Sequence, residues 1–148
     1  MIDVWIPGDP VSQGRPRFVR RGRYMGAIDP ERSRLWKHHA RGYIREAMKD
    51  AAPLLGPLEL SVLFVFSCPA SHCAKPTKRN PEPAPTPRRW RESRPDIDNL
   101  TKAVMDASNG LIFEDDCQIV RLDARKVWGR QGEDAGVYMT VRSVQGEP

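Results

Sequence analysis

Arg94-Pro95-Asp96-Ile97-Asp98-Asn99-Leu100-Thr101-Lys102-Ala103-Val104-Met105-Asp106-Ala107 is the stretch whose reading decides how this chain folds. Ile97, Leu100, Val104 and Ala107 recur at helical spacing and form one apolar side. They predict a helix from about Ile97 to Ser108 with that side on a core. Asn109-Gly110 supplies the left-handed residue that stops it. Asp96 and Asp98 then stand at the N-terminal edge of the helix. Lys102, four residues after Asp98, shares its face.

Downstream, Leu111-Ile112-Phe113 leads into an acidic turn, Glu114-Asp115-Asp116. Gln118 to Trp128 alternates, with Val120, Leu122 and Ala124 pointing one way and Arg121, Asp123 and Arg125 the other, as in a strand with one wet face. Val137, Met139 and Val141 repeat the pattern in a last strand. Upstream, residues 68–94 hold six prolines and several basic residues but almost no aliphatic ones. They read as a mobile basic loop, since so long a structureless stretch is usually functional or disordered. Leu58 to Phe66 is nearly continuous in apolar and β-branched residues and reads as a central strand covered on both faces.

Before that strand, Trp36, Ala40, Tyr43, Ile44, Ala47 and Met48 mark a helix with Asp29 as N-cap and Pro30 at its first position, ended by Pro53. Residues 7–28 read as a loop, and Ile2 to Ile6 as a first strand that stops at Pro7-Gly8. The predicted order is β-α-β-loop-α-β-β. This is an α+β single domain, residues 1–148, with two main helices packed on a mixed sheet.

Composition narrows the function classes. A chain of 148 residues can bury one core, not two. No apolar run approaches the roughly 20 residues that span a membrane. The N-terminus also lacks the layout of a secretion signal, so a cytosolic location is expected. Cys68, Cys73 and Cys117 are odd in number and hold no Cys-x-x-Cys pair, which favours free thiols over a disulfide framework or zinc ribbon. Ser67-Cys68-Pro69-Ala70-Ser71-His72-Cys73 groups two thiols with an imidazole but is a ligand short of a zinc site. Net charge is +5, and 18 of the 24 basic residues are Arg. That suits forked contacts with phosphate and points to a polyanionic partner.

Asp96, Asp98 and one carboxylate of the acidic turn, Asp115 or Asp116, would make an all-oxygen site with no nearby His or Cys. Such a set suits Mg²⁺ or Mn²⁺ and not Zn²⁺. An ion held there permits phosphodiester hydrolysis, with Lys102 stabilising charge that builds on phosphorus. A plainer reading is open for each residue. Asp96 or Asp98 caps the helix, Asp98–Lys102 is a surface ion pair, and the acidic turn is merely solvated.

The long stretch, followed by Asn109-Gly110, Glu114-Asp115-Asp116 and Gln118-Ile119-Val120, resembles the signature of the RusA family of Holliday junction resolvases. The D-x-D-N-L-x-K-A core, the following D-A and the D-D-x-Q-[IV]-V block match in type and spacing over about 30 residues. Gly14-Arg15-Pro16-Arg17 agrees more loosely. Where some members carry a basic residue immediately before the first Asp, this chain has Pro95, with Arg94 one place earlier.

The resemblance implies an α+β homodimer that nicks four-way DNA junctions symmetrically with Mg²⁺, or Mn²⁺ in its place. It implies metal ligands Asp96, Asp98 and Asp116, with Asp115 the runner-up, and a functional Lys102. Asp106 matches a family position and is a candidate partner for Lys102. A non-catalytic DNA-binding or structural protein is the rival reading. A phosphoesterase for nucleotides is disfavoured by the lack of a Gly-rich phosphate loop.

Arg15, Arg17, Arg20, Arg21 and Arg23 crowd nine residues beside Phe18 and Tyr24. They read as a phosphate clamp with an aromatic to stack on an unpaired base, and Arg94 is a further candidate contact. Lys75, Lys78, Arg79, Arg88 and Arg89 would add a second basic surface. A two-fold dimer would give each of two equivalent strands one site. Arg121–Arg125 and Leu111–Phe113 are candidates for its surface.

Overall fold

The computed structural model describes residues 1–15 and 17–146. β1 (Ile2–Pro7) is followed by a hairpin, β2 (Arg17–Arg21) and β3 (Tyr24–Ile28), then α1 (Glu31–Met48) and β4 (Leu58–Phe66). A two-residue strand, β5 (Arg89–Trp90), precedes α2 (Ile97–Ser108), β6 (Ile119–Trp128) and β7 (Gly136–Ser143). The main sheet runs β1-β7-β4-β6-β5 and is mixed, β4 being parallel to β6 and antiparallel to β7. This is the expected α+β layout, with β4 central.

The register fixes which side chains share a face. Val4 and Ile6, Val137, Met139 and Val141, and Leu60, Val62 and Phe64 align across β1, β7 and β4, and all are buried. They meet Trp36, Ala40, Ile44 and Met48 of α1 and Leu100, Ala103, Val104 and Ala107 of α2 in one core. Both helices therefore pack on the same side of the sheet. The other side carries Trp5, Glu59, Ser61, Tyr138 and Arg142 and stays half open, so β4 is not covered on both faces as expected. Among the described residues no helix is long and apolar enough to cross a membrane.

Several expectations need correction. The presumed loop 7–28 contains the β2–β3 hairpin, turned at Gly22, where φ is 63°. Pro30 is the helix boundary, not Asp29, which instead accepts from Lys37 at 2.6 Å. α1 stops at Met48, ahead of Pro53, because Lys49 turns left-handed at φ 48°. Ile97 is 37% exposed, as it sits in the first turn of α2 at the rim of the core. Val120 and Leu122 are also exposed. Val120 sits at a register slip and α2 leaves that half of β6 uncovered.

The proline-rich segment is anchored, not free. Residues 70–72 form a 3₁₀ turn and β5 pairs with the end of β6. Gln131 exchanges hydrogen bonds with Ala74, and Arg88 grips the Glu133 carboxylate. Cys68, Cys73 and Cys117 are free thiols, and the first two lie with sulfurs 3.7 Å apart.

Candidate nuclease site

α2 presents its first turn to solvent. Asp96 occupies the N-cap position in extended geometry yet makes no side-chain cap hydrogen bond. Asp98 stands exposed in the first turn, and neither carboxylate has an ion pair among the described residues. Buried Leu100, Ala103 and Val104 hold this end of the helix on the core. Asp–Lys pairing takes a different form from the plainer reading. Lys102 Nζ lies 3.7 Å from Asp106, one turn on, and not on Asp98.

Asp106 is also 3.5 Å from Lys37 of α1, whose ammonium sits on Asp29. The result is a chain of alternating charge across the two helices, Asp29–Lys37–Asp106–Lys102. The hydrogen bond from Lys37 holds the Asp29 carboxyl below its usual pKa.

The acidic turn comes to the flank of α2. Asp115 starts a 3₁₀ turn (Asp116–Gln118) and accepts from the Cys117 N–H, while Gln118 closes the reciprocal half of the capping box. Gln118 also donates to the carbonyls of Leu54 and Gly56, pinning the turn to the chain before β4. Asp116 has no such capping duty. Its hydrogen bond with Asp115 raises its pKa, as does burial, while the charge of Lys102 acts the other way. The same shared hydrogen bond, together with the Cys117 N–H, lowers Asp115.

The structure thus gathers Asp116, Lys102 and Asp106 within electrostatic reach, and sets Asp96 and Asp98 at the start of the same helix. Among the described residues it does not bring three His, Cys, Asp or Glu side chains into one ready ion cage, and His72 with the two thiols forms none either. The donors that are present are oxygen only, and Asp96 and Asp98 are not committed to the fold. That donor chemistry fits a hard divalent ion.

Two cations that the sequence reading missed hold the segment leading into Asp96. Lys126 Nζ donates to the carbonyls of Ser93 and Pro95 at 3.0 and 2.8 Å. Arg91 donates through Nε and Nη2 to the Arg94 carbonyl at 3.2 and 2.5 Å, with its guanidinium over the rings of Phe66 and Trp128. Their partners come from β4, β6 and the chain before α2, so no local signal marks them. Arg94 itself is exposed.

Arg15 and Arg23 are exposed, and Arg20 donates to the Gly22 carbonyl at 3.2 Å. Phe18 is exposed on the same strand as Arg20. Pro16 and the side chains of Arg17, Arg21 and Tyr24 lie outside the described residues. The five arginines expected to form a clamp thus lie on the hairpin and at the end of the loop before it. Of the second basic set, Lys75, Lys78, Arg79 and Arg89 are exposed, while Arg88 is taken by Glu133. Ile112 and Phe113 are fully buried in the core, which removes Leu111–Phe113 as a docking surface.

Two comparisons with known proteins bear on this arrangement. The chain is 31% identical over 143 residues to Uncharacterized protein YqaN of Bacillus subtilis (strain 168), an alignment covering 97% of this chain and 96% of that protein. The family model described as Endodeoxyribonuclease RusA matches residues 7–142, a span that contains the hairpin, both helices and the acidic turn. With its uncommitted carboxylates on α2 and Asp116 beside Lys102, the chain belongs to the RusA endodeoxyribonuclease family.

Proposed function

We propose that this protein is a Mg²⁺-dependent nuclease that nicks four-way DNA junctions symmetrically as a homodimer, with Mn²⁺ able to replace Mg²⁺. The observation that carries the reading is Asp96. It is an N-cap carboxylate that does no capping, beside a second free carboxylate at Asp98, in a chain of a nuclease family. An acid that leaves the helix cap unmade is placed for another task.

Asp96, Asp98 and Asp116 would hold the ion, Asp116 being favoured over Asp115 because Asp115 is engaged in capping its own turn. A bound divalent ion supplies polarisation of a phosphoryl oxygen and a more acidic water. Lys102 keeps an ammonium beside Asp116, where it stabilises charge growing on the phosphate. Asp106 orients that ammonium, and Lys37 orients Asp106. Lys126 and Arg91 fix the backbone that carries Asp96. Arg15, Arg17, Arg20, Arg21 and Arg23, with Arg94, bind phosphates and set the strand in place.

For the dimer, the open edge of β6 is the surface we favour. β5 covers only its Val127–Trp128 end, and Val120 and Leu122 are exposed beside the free stretch. Antiparallel pairing about Leu122 would set Arg121 opposite the partner's Asp123, a self-complementary match. A cytosolic location, alongside DNA, completes the reading.

The test is incubation with synthetic four-way junctions and linear duplex of the same sequence, in Mg²⁺, Mn²⁺ or EDTA. Paired nicks on opposite strands of the junction, absent in EDTA and in Asp98→Asn, are the expected result. Tight junction binding with no cutting in either ion defeats the catalytic reading and favours a DNA-binding protein.

A further inference from the structure

Beside the carboxylates lies a cleft whose chemistry the proposed hydrolysis does not use. It has a volume of about 540 Å³, and Pro95, the residue before Asp96, is part of its wall. That size lies within the range of sites for small organic groups. One wall is aromatic. The Arg91 guanidinium sits there in the corner between two rings, 4.0 Å from the Phe66 ring centroid and 3.9 Å from that of Trp128, the rings themselves meeting edge to face at 70°. Its bonds to the Arg94 carbonyl leave other N–H donors free.

Facing this is Asp9. Its Oδ1 accepts from the Ser67 N–H at 3.3 Å and the Ser67 hydroxyl at 3.1 Å, which leaves Oδ2 open. Arg32, exposed on the first turn of α1, completes the polar lining.

The remaining wall is fixed before any ligand arrives. The buried Ser33 hydroxyl donates to the Ser12 carbonyl at 3.1 Å and accepts from the Gly14 N–H at 3.0 Å. The Gln13 N–H donates to the Asn99 carbonyl of α2 at 2.9 Å, which ties the wall to the helix of Asp96 and Asp98. A Cβ on Gly14 would come within 2.5 Å of the Pro30 ring, so the loop packs closely on the start of α1. A cleft held this way loses little entropy on binding.

The mixture of groups selects the ligand class. A phosphate would meet the like charge of Asp9, and an apolar side chain would leave the open Oδ2 of Asp9 and the free N–H donors of Arg91 unmatched. A nucleobase satisfies all of them. It has a flat π-face to lie along this wall of aromatic rings and guanidinium, an acceptor edge for the two arginines, and an N–H donor for Asp9. We infer that this cleft is a subsite for one unstacked nucleobase of the DNA strand that passes Asp96, an inference that rests on the nuclease reading above. Enzymes that act on duplex or branched DNA gain selectivity from bases that leave the stack at low cost.

The experiment replaces each nucleotide around the cut in turn with an abasic residue, in junctions cut by the wild-type chain and by Asp9→Asn/Arg32→Ala. Both positions are exposed, and Asn keeps the Oδ1 acceptor that Ser67 uses. The expected result is a loss of about tenfold or more in cutting and in binding at one position only, in the wild type. The double variant should cut intact junctions more slowly and lose that positional dependence. Uniform cutting across the abasic series overturns the subsite while leaving junction nicking standing. A neutral methylphosphonate that costs as much at that position, where an abasic residue costs nothing, overturns it in favour of a phosphate site. If no junction is cut at all, the nuclease reading fails instead. The subsite is then decided by the same abasic series read as binding in EDTA, with the same two outcomes.

Discussion

Replacing Asp96 by Ala separates a structural acid from a functional one. Asp96 is at the N-cap of α2 but accepts no bond from the helix. The stability it can lose is therefore only the attraction of an exposed carboxylate to the helix N-terminus, about 0.3–1 kcal/mol. A working cap would cost about 1 kcal/mol more, and up to ~2. Urea denaturation of metal-free protein at neutral pH should give a midpoint shift at the small end of this scale.

Adding divalent ion supplies the second half of the test. At a free concentration about ten times the dissociation constant, a bound ion stabilises by RT ln(1 + [L]/Kd), about 1.4 kcal/mol. In a chain of this size that is a rise in Tm of roughly 3–6 °C. The wild type should show this rise and Asp96→Ala should not. A loss of roughly 2 kcal/mol without metal would mean that the carboxylate serves the helix after all. An undiminished Tm rise in the variant would place the ion elsewhere.

Asp116→Asn should stabilise the metal-free protein at neutral pH. The folded state raises the Asp116 pKa above 3.8, chiefly through the Asp115 hydrogen bond, so folding disfavours its ionised form. Above the raised pKa the wild type carries that penalty and Asn does not. As pH falls through the raised pKa towards 3.8 the wild type gains the proton and the difference should close, as thermal melts across pH will record. Gly136→Ala should cost about 1–3 kcal/mol, because its Cβ would fall on the Trp5 ring that stacks on Tyr138; urea denaturation and Trp fluorescence read it. Arg15→Ala with Arg17→Ala should weaken DNA binding and lower the salt slope by about 2, with metal-induced Tm shifts unchanged. Unaltered affinity in a gel shift would remove these arginines from the clamp.

The sequence by itself determined the elements that carry strong periodicity and stop signals. The bounds of α2 were legible because Leu100, Val104 and Ala107 repeat on one side and Gly110 follows. The strands from Leu58 and Val137 were legible because a nine-residue apolar run closed by turn residues is too short for a buried helix, and Val137, Met139 and Val141 alternate with period two. The candidate site was legible as a list of residue types, since hard oxygen donors and a nearby Lys are a chemical statement that needs no coordinates.

Tertiary structure decided what those residues are doing. Only the folded chain shows Asp115 engaged in a capping box while Asp96 is free of one, and Asp106 shared between Lys102 of its own helix and Lys37 of the other. The hairpin was hidden because Arg17–Arg21 and Tyr24–Ile28 pair with each other and lack the apolar alternation that a buried sheet imposes. The cleft of Asp9, Arg32, Arg91 and Trp128 could not be foreseen either. These four lie on separate parts of the chain, and a local pattern encodes only the faces that one element buries.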